Sequence, residues 1–174
     1  NGPTWTTGKV GGALSFDGTD DYVNCNSIPQ FPTGSSDRTV IAWIYQINYT
    51  AWINHVFHYG NASYNQTFGL AVYNDAKFGA HEWSIYTRYG NVPFNQWVFL
   101  AITLSGNTTK KYYQNGLLIA THTTDPAPNT TLNSCKIGTR VSPYEYFKGL
   151  IDEVRIYNRA LSDAEIQALY NATK

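Results

Sequence analysis

The stretch Gly149-Leu-Ile-Asp-Glu-Val-Arg-Ile-Tyr157 decides how the rest of this chain is read. Its aliphatics are spaced by two and it holds no Pro, the pattern of a β-strand. Strict alternation puts Leu150, Asp152, Val154 and Ile156 on one face. Ile151, Glu153, Arg155 and Tyr157 then fall on the other. The first face is apolar except for Asp152. A carboxylate among aliphatics costs several kcal/mol, on the order of a buried unpaired charge, unless something compensates it. A metal ion, an Arg or a set of backbone N–H groups could do so.

Outward from this strand, the chain reads as many short extended segments. Val10 to Phe16 leads into a strand, and Asp17-Gly-Thr-Asp-Asp21 is a turn, because Asp and Gly favour local side-chain bonds and positive φ. Thr39 to Ile47 is almost continuously apolar, as expected of a central strand covered on both faces. His55–Tyr59, Thr67–Tyr73 and His81–Tyr86 read as further strands. Trp97 to Leu104 is another. Lys110–Gln114 and Leu117–His122 flank Asn115-Gly116, the strongest short hairpin signal. Asp125 to Thr131 is a Pro- and Thr-rich loop.

One helix is expected, from Ser162 to Tyr170. Ser162 caps it, Glu165 completes a capping box, and Leu161 and Ile166 form a hydrophobic staple. Strands with turns every eight to twelve residues and one late helix predict an all-β antiparallel sandwich. The 174 residues fit one domain spanning 1–174.

Composition narrows the function. Formal charge is zero, and charged residues are 14%, against roughly 25% in ordinary globular proteins. No basic patch stands out, which argues against nucleic acid and anionic membranes as partners. No apolar run approaches the roughly 20 residues of a membrane span, so no membrane insertion is expected. Fourteen Tyr and five Trp exceed what a core of this size needs. Some aromatics should therefore lie on the surface, although Trp43 and Trp97 are expected in the core.

Cys25 and Cys135 lack metal or redox-motif spacing and are expected to form a disulfide. Six Asn-X-Ser/Thr acceptor sites occur, at Asn48, Asn61, Asn65, Asn107, Asn129 and Asn171, about twice what composition predicts. Few charges, paired Cys and many acceptor sites point to a secreted, extracellular or cell-surface setting. The chain contains no Met, and is expected to be a module of a longer protein, attached to further domains.

Three segments carry a family resemblance: Gly8 to Val23, Gln96 to Leu104 running into Tyr113–Gly116, and Phe147 to Ile166. Together they resemble the laminin G-like, concanavalin A-like jelly-roll modules. The resemblance implies two antiparallel sheets stacked as a curved sandwich, with the first strand beside the last. It also implies binding of glycans or proteins, often with a structural calcium. The matching Asp positions are Asp17 and Asp152, which would share the ion, with Gly18, Asp20 and Asp21 in the turn that supplies further oxygens. The alternative for Asp152 is an Arg partner such as Arg155 or Arg140. The stretch Ile47 to Phe94 matches no pattern and is where ligand choice is expected.

Sugars stack their C–H faces on rings and bond polar side chains. His81-Glu-Trp-Ser-Ile-Tyr-Thr-Arg-Tyr89 has that mixture. Read as one strand, it sets His81 and Trp83 on one face and Tyr86 and Arg88 on the other. The candidate carbohydrate contacts are Trp52, Tyr64, His81, Trp83, Tyr86, Arg88, Tyr89 and Tyr144. The related fold also hosts glucanases, but the Glu-x-Asp-x-Glu run that they carry on one strand is missing here. Nothing in the sequence positions Glu82 against Glu145. His55 and His58, three apart on a strand, should face opposite sides and so share no metal. The expectation is a non-catalytic carbohydrate-binding module, probing a polysaccharide or glycan. The alternative is a protein-interaction or adhesion module of a surface protein.

Overall fold

The structure is a computed structural model and describes residues 2–123 and 126–174. Asn1, Thr124 and Asp125 lie outside the described residues, so the loop expected from Asp125 is described from Pro126 onward. In chain order the strands are β1 (Thr4–Thr7), β2 (Gly12–Asp17), β3 (Val23–Asn24), β4 (Arg38–Asn48), β5 (Ile53–Gly60), β6 (Thr67–Tyr73) and β7 (Phe78–His81). They continue as β8 (Tyr86–Tyr89), β9 (Trp97–Ser105), β10 (Thr109–Gln114), β11 (Leu117–Thr123), β12 (Ser134–Ile137) and β13 (Lys148–Tyr157), followed by helix α1 (Asp163–Thr173).

The strands form two antiparallel sheets. One runs β1-β2-β13-β4-β9-β10-β11 and the other β3-β12-β5-β6-β7-β8. The expected all-β sandwich with one C-terminal helix is what the chain adopts, and β2 lies beside β13. The polar N-terminus adds β1, a strand that its composition does not announce.

The core lies between the sheets. Phe16, Val40, Ile44, Leu100 and Ile102 from the first sheet meet Phe57, Phe68, Leu70, Val72 and Phe78 from the second. Burying such side chains is worth roughly 1.5–3 kcal/mol each. Helix α1 covers the outer face of the seven-stranded sheet, where Leu161 and Ile166 pack on Ile41, Trp43, Phe99 and Tyr113. The staple and the cap therefore work together. Ser162 Oγ accepts the Glu165 N–H at 3.3 Å, and Glu165 Oε2 accepts the Ser162 N–H at 2.9 Å. Trp43 Nε1 donates to Thr173 Oγ1 at 2.9 Å and ties the far end of the helix to the sheet.

Two β-bulges change which way side chains point. Between β5 and β6 the ladder passes from His55↔Ala71 to Phe57↔Leu70, so Val56 has no partner. Between β13 and β4 it passes from Asp152↔Trp43 to Arg155↔Ile41, with Glu153 at φ 50°. One extra residue reverses the alternation beyond it. In β13 the reversal overturns the simple two-face reading. Leu150 and Asp152 do share a face, but Val154 and Ile156 pack on the inter-sheet core together with Ile151. Arg155 returns to the face of Asp152, and pairs there with Glu153.

Candidate functional site

No helix among the described residues lies over the outer face of the six-stranded sheet. Its residues follow from pairing. Ala71 stands opposite His55, Gly69 opposite His58, and Gly79 opposite both Ala71 and Arg88. Since Leu70, Val72, Phe78 and Ala80 face the core, these partners face outward. The bulge at Val56 is what lets His55 and His58 share this face.

The stretch from His81 to Tyr89 is not one strand. It folds back at Glu82–Ile85, where Trp83 and Ser84 adopt left-handed φ of 51° and 74°. His81 and Tyr86 become cross-strand partners. Their rings stack 5.4 Å apart. This corrects the expected division of faces: His81, Tyr86 and Arg88 point the same way. Tyr89, opposite Phe78, points inward, packs on Tyr112 and reaches His122 Nδ1 at 3.1 Å. It is not a ligand contact on this face.

A continuous run of rings results. Trp52 meets Tyr86 at 5.1 Å and Tyr73 at 5.8 Å between centroids, and the Arg88 guanidinium lies over Tyr73 at 5.1 Å. Arg88 Nε donates to Asp75 Oδ2 at 2.9 Å, which fixes it there. From Tyr86 the run continues through His81 to His58, and Trp83 stacks parallel to His58 at 6.4 Å. The Arg140 guanidinium lies over Trp83 at 4.9 Å and over Tyr144 at 5.1 Å. Trp52, Tyr86 and Tyr144 are 44%, 39% and 61% exposed, so their rings are open to a ligand. Tyr64 is also exposed, on a loop whose Asn65 N–H donates to Trp83 O.

The loop from Gly138 to Phe147 closes over one end of this face. The Gly138 N–H donates to the carbonyl of Val56, the bulged residue, and the Phe147 N–H donates to Gly138 O at 2.8 Å. Thr139 Oγ1 donates to Tyr144 O and accepts the Tyr144 N–H, which braces the loop internally. Glu145, at φ 64°, reaches down so that its Oε2 lies 3.4 Å from His55 Nε2.

Beneath the loop sit three histidines. His55, His58 and His81 are buried, with ring centroids 4.7–4.9 Å apart. The Val141 N–H donates to His58 Nδ1 at 3.1 Å. The His58 proton is thereby held on Nε2, from which it is donated to His81 Nδ1 at 2.9 Å. Burial, with the nearby Arg140 charge, holds His55 down to about 3. Burial likewise holds His58 and His81 well below the ordinary histidine range. All three are neutral at physiological pH. His81 is a residue that the sequence picks out for this face. His55 and His58, expected on opposite faces from their spacing, share it because the bulge at Val56 adds one residue between them.

Glu82 and Glu145 lie on opposite sides of the sheet. Glu82 is enclosed in the sandwich and ion-paired with buried Lys110, and burial raises its carboxyl above the usual range. The two carboxylates do not share a cleft.

The expected calcium pair does not form. Across the β2–β13 ladder Lys148, not Asp152, stands opposite Asp17, and four strand residues set the Cα of Asp152 roughly 13 Å along the strand from that pairing. Asp152 is compensated by backbone instead. Its Oδ2 accepts the Val10 N–H at 2.9 Å and its Oδ1 the Glu153 N–H at 2.7 Å. A Cβ at Gly8 would stand 2.5 Å from Oδ2, so Gly is needed for this close approach. Asp17, Asp20 and Asp21 do gather, with one carboxylate oxygen from each within 4.8 Å of the others. Thr19 N–H donation to Asp17 holds its carboxyl below the usual range. Gly18 of this turn and Tyr144 and Glu145 of the loop line one surface cleft of about 240 Å³.

Cys25 and Cys135 are neighbours on the β3–β12 edge, the Cys25 N–H donating to Cys135 O at 3.0 Å. They are free thiols in this structure. The expected disulfide is thus not formed here, although the two positions are adjacent. Contact with Cys135 lowers the Cys25 thiol, and raises its partner.

A two-sheet antiparallel sandwich with a capped helix on one face and an open ring-lined sheet on the other defines a jelly-roll domain of the concanavalin A-like class. The chain belongs to the laminin G-like family of the concanavalin A-like lectin/glucanases superfamily, whose sequence profile matches residues 17–167. No curated protein sequence matches it. Among solved structures it is similar to domain 4 of AbnA, an extracellular arabinanase of Geobacillus stearothermophilus, in complex with arabinotriose. That likeness has a TM-score of 0.73 at 23% identity over 97% of this chain and 81% of the other. It is also similar to the binding domain of Paraclostridial Mosquitocidal Protein 1, with a TM-score of 0.77 at 16% identity over 99% of this chain and 46% of the other. The sialidase CBM40 of Ruminococcus gnavus, bound to alpha2,3 sialyllactose, gives a TM-score of 0.64 at 18% identity over 90% of this chain and 96% of the other. At these identities the likeness concerns the fold.

Proposed function

We propose that this domain binds a glycan on the outer face of the six-stranded sheet and does not cleave it. The observation that carries the reading is the run from Trp52 and Tyr86 through His81 to Trp83, Arg140 and Tyr144. Flat rings offer stacking surfaces for the C–H faces of a sugar, and the guanidinium edges offer hydrogen-bond donors to its hydroxyls. Both arginines are already stacked on rings, so little side-chain freedom remains to be lost on binding. Similar folds in complex with arabinotriose and sialyllactose supply the first ligands to try. Glu82 is enclosed with Lys110 inside the sandwich and so cannot serve as a partner carboxylate to Glu145, which supports binding without hydrolysis.

The setting proposed is extracellular, in a larger protein. No helix among the described residues is long and apolar enough to cross a membrane. We also propose that calcium, the cation suggested by the family resemblance, is held by Asp17, Asp20 and Asp21 in the turn beside the Tyr144 loop. Asp152 takes no part in it.

The second reading, a protein-interaction module, is favoured by a separate feature. Leu117, Leu118 and Ile119 are exposed on β11, the edge strand of the other sheet. One experiment separates the two. Calorimetric titration with arabino-oligosaccharides, sialyllactose and a broad glycan array is expected to find a ligand. Trp52→Ala and Tyr86→Ala should each weaken it by about 1–3 kcal/mol. Silence across the array from folded protein, or affinity untouched by both substitutions, would move the reading to the protein partner.

A further inference from the structure

We propose that His55, His58 and His81, together with Glu145, form a binding site for a first-row transition-metal dication such as Zn²⁺, enclosed beneath the Gly138–Phe147 loop. The inference does not depend on the glycan reading.

The first observation is geometric. Three imidazoles bound to one ion at about 2.0–2.1 Å place their ring centres roughly 4.5–5.2 Å apart, for ligand angles from about 90° to 109°. The three centroid separations here are 4.9, 4.7 and 4.8 Å, close to an equilateral triangle. The same bond lengths set neighbouring ligand atoms roughly 2.9–3.4 Å apart. His58 Nε2 and His81 Nδ1 are 2.9 Å apart, and His55 Nε2 and Glu145 Oε2 are 3.4 Å apart.

The second observation points to a ligand independently. His55 is fully buried, and neither of its ring nitrogens has a hydrogen-bond partner. A buried imidazole left in that state is strongly disfavoured. An ion held by Nε2 would satisfy that one of the two nitrogens. The donor set also selects the ion. Nitrogen-rich sites favour Zn²⁺, Ni²⁺, Co²⁺ or Cu²⁺, whereas Ca²⁺ and Mg²⁺ require oxygen.

One proton competes with the metal. In this structure the Val141 N–H holds the His58 proton on Nε2, which is the nitrogen that must become a ligand. Metal entry therefore moves that proton from Nε2 to Nδ1. His58 stays neutral, its hydrogen bond to His81 is replaced by the two metal bonds, and the Val141 N–H is released. Binding is thus coupled to a shift of the loop at Val141. Glu145 at the other end of the loop becomes a ligand, so the ion fastens to the sheet the loop that carries Arg140 and Tyr144.

The test starts from protein freed of metal by a chelator. Zn²⁺ titration by calorimetry should show one equivalent bound, with Co²⁺ giving a visible ligand-field band that lacks thiolate charge transfer. His55→Ala and His81→Ala should each weaken binding by about a hundredfold or more. Binding should survive Cys25→Ser with Cys135→Ser, and also Asp17→Asn. The Val141 amide resonance should move in slow or intermediate exchange as Zn²⁺ is added. If an alanine variant fails to fold, His55→Gln and His81→Gln give the same comparison with near-native volume. No stoichiometric binding would overturn the proposal. So would binding that persists in the folded histidine variants, or that disappears with the cysteines.

Discussion

His55 and His58 project from the same face of one strand, three residues apart, with ring centroids 4.9 Å apart. Val56 stands between them without a partner on β6, and its carbonyl accepts the Gly138 N–H. The bulge thus does two things at once: it turns His55 outward and it anchors the loop that covers it. The floor under His58 is Gly69, whose missing side chain leaves room for the ring.

Gly69→Ala should therefore be destabilising although its backbone is ordinary. A Cβ there would meet His58 Cδ2 at 2.4 Å and Phe57 O at 2.6 Å. Overpacking of this kind costs about 1–3 kcal/mol. Urea unfolding monitored by tryptophan fluorescence gives the difference, and a midpoint equal to wild type would show that the ring yields freely.

Substitutions at Asp152 and at Asp17 should differ in their effect on the response to a chelator. Asp152→Ala leaves the Val10 and Glu153 N–H groups without their acceptor and should cost about 1–3 kcal/mol with or without calcium. Chelation should lower the melting temperature of the wild type and of the Asp152→Asn protein. Asp17→Asn should lose that response, because the turn then lacks its central carboxylate. Wild-type melting curves that coincide in calcium and in chelator would remove the ion from the turn.

The helix cap should weaken in acid. Glu165 accepts two bonds from Arg159, at 3.0 and 2.7 Å, and further bonds from Ser162. These hold its carboxyl down to about 2, from an ordinary value near 4.5. Its folded-state pKa lies below the unfolded one, so the contribution is complete above about pH 4.5 and is lost as the pH falls towards 2. The melting temperatures of wild type and Glu165→Gln should differ at pH 7 and converge near pH 2. A constant gap across that range would mean that the carboxylate charge is not what matters.

Oxidation should join Cys25 to Cys135. Their backbones already share a hydrogen bond, so the two sulfurs are carried by adjacent positions at one sheet edge. Closing a loop of about 110 residues is worth roughly 4–5 kcal/mol in the chain-entropy account. Thiol titration of unfolded, unreduced protein after air oxidation should find no free thiol. Two titratable thiols would show that the pair resists closure.

Much of the architecture was legible because its signals are local. Asn115-Gly116 forces a tight reversal by its own backbone preference. Ser162 and Glu165 satisfy each other across one helical turn, and Leu161 and Ile166 follow from the same spacing. The apolar run in β4 reports burial on both faces whatever its neighbours are. Trp52, His81, Trp83, Tyr86, Arg88 and Tyr144 were recognisable as a chemical mixture, and the structure gathers these six around one face. Their common orientation was not legible, because the turn at Trp83 and Ser84 relies on left-handed backbone that neither residue type announces.

What the sequence alone determined was the alternation, the caps and the turns, each settled within a few residues of chain. What the tertiary structure decided was parity and register. Val56 and Glu153 look like ordinary strand residues, and only the pairing with the neighbouring strand makes each of them the extra one. A single unpaired residue then reverses every side chain beyond it, which brings His55 to His58 and Arg155 to the face of Asp152. The register of β13 on β2 likewise sets Lys148 opposite Asp17 and leaves Asp152 to the Gly8–Val10 turn. Such choices belong to pairs of strands distant in sequence, so no local pattern in either strand contains them.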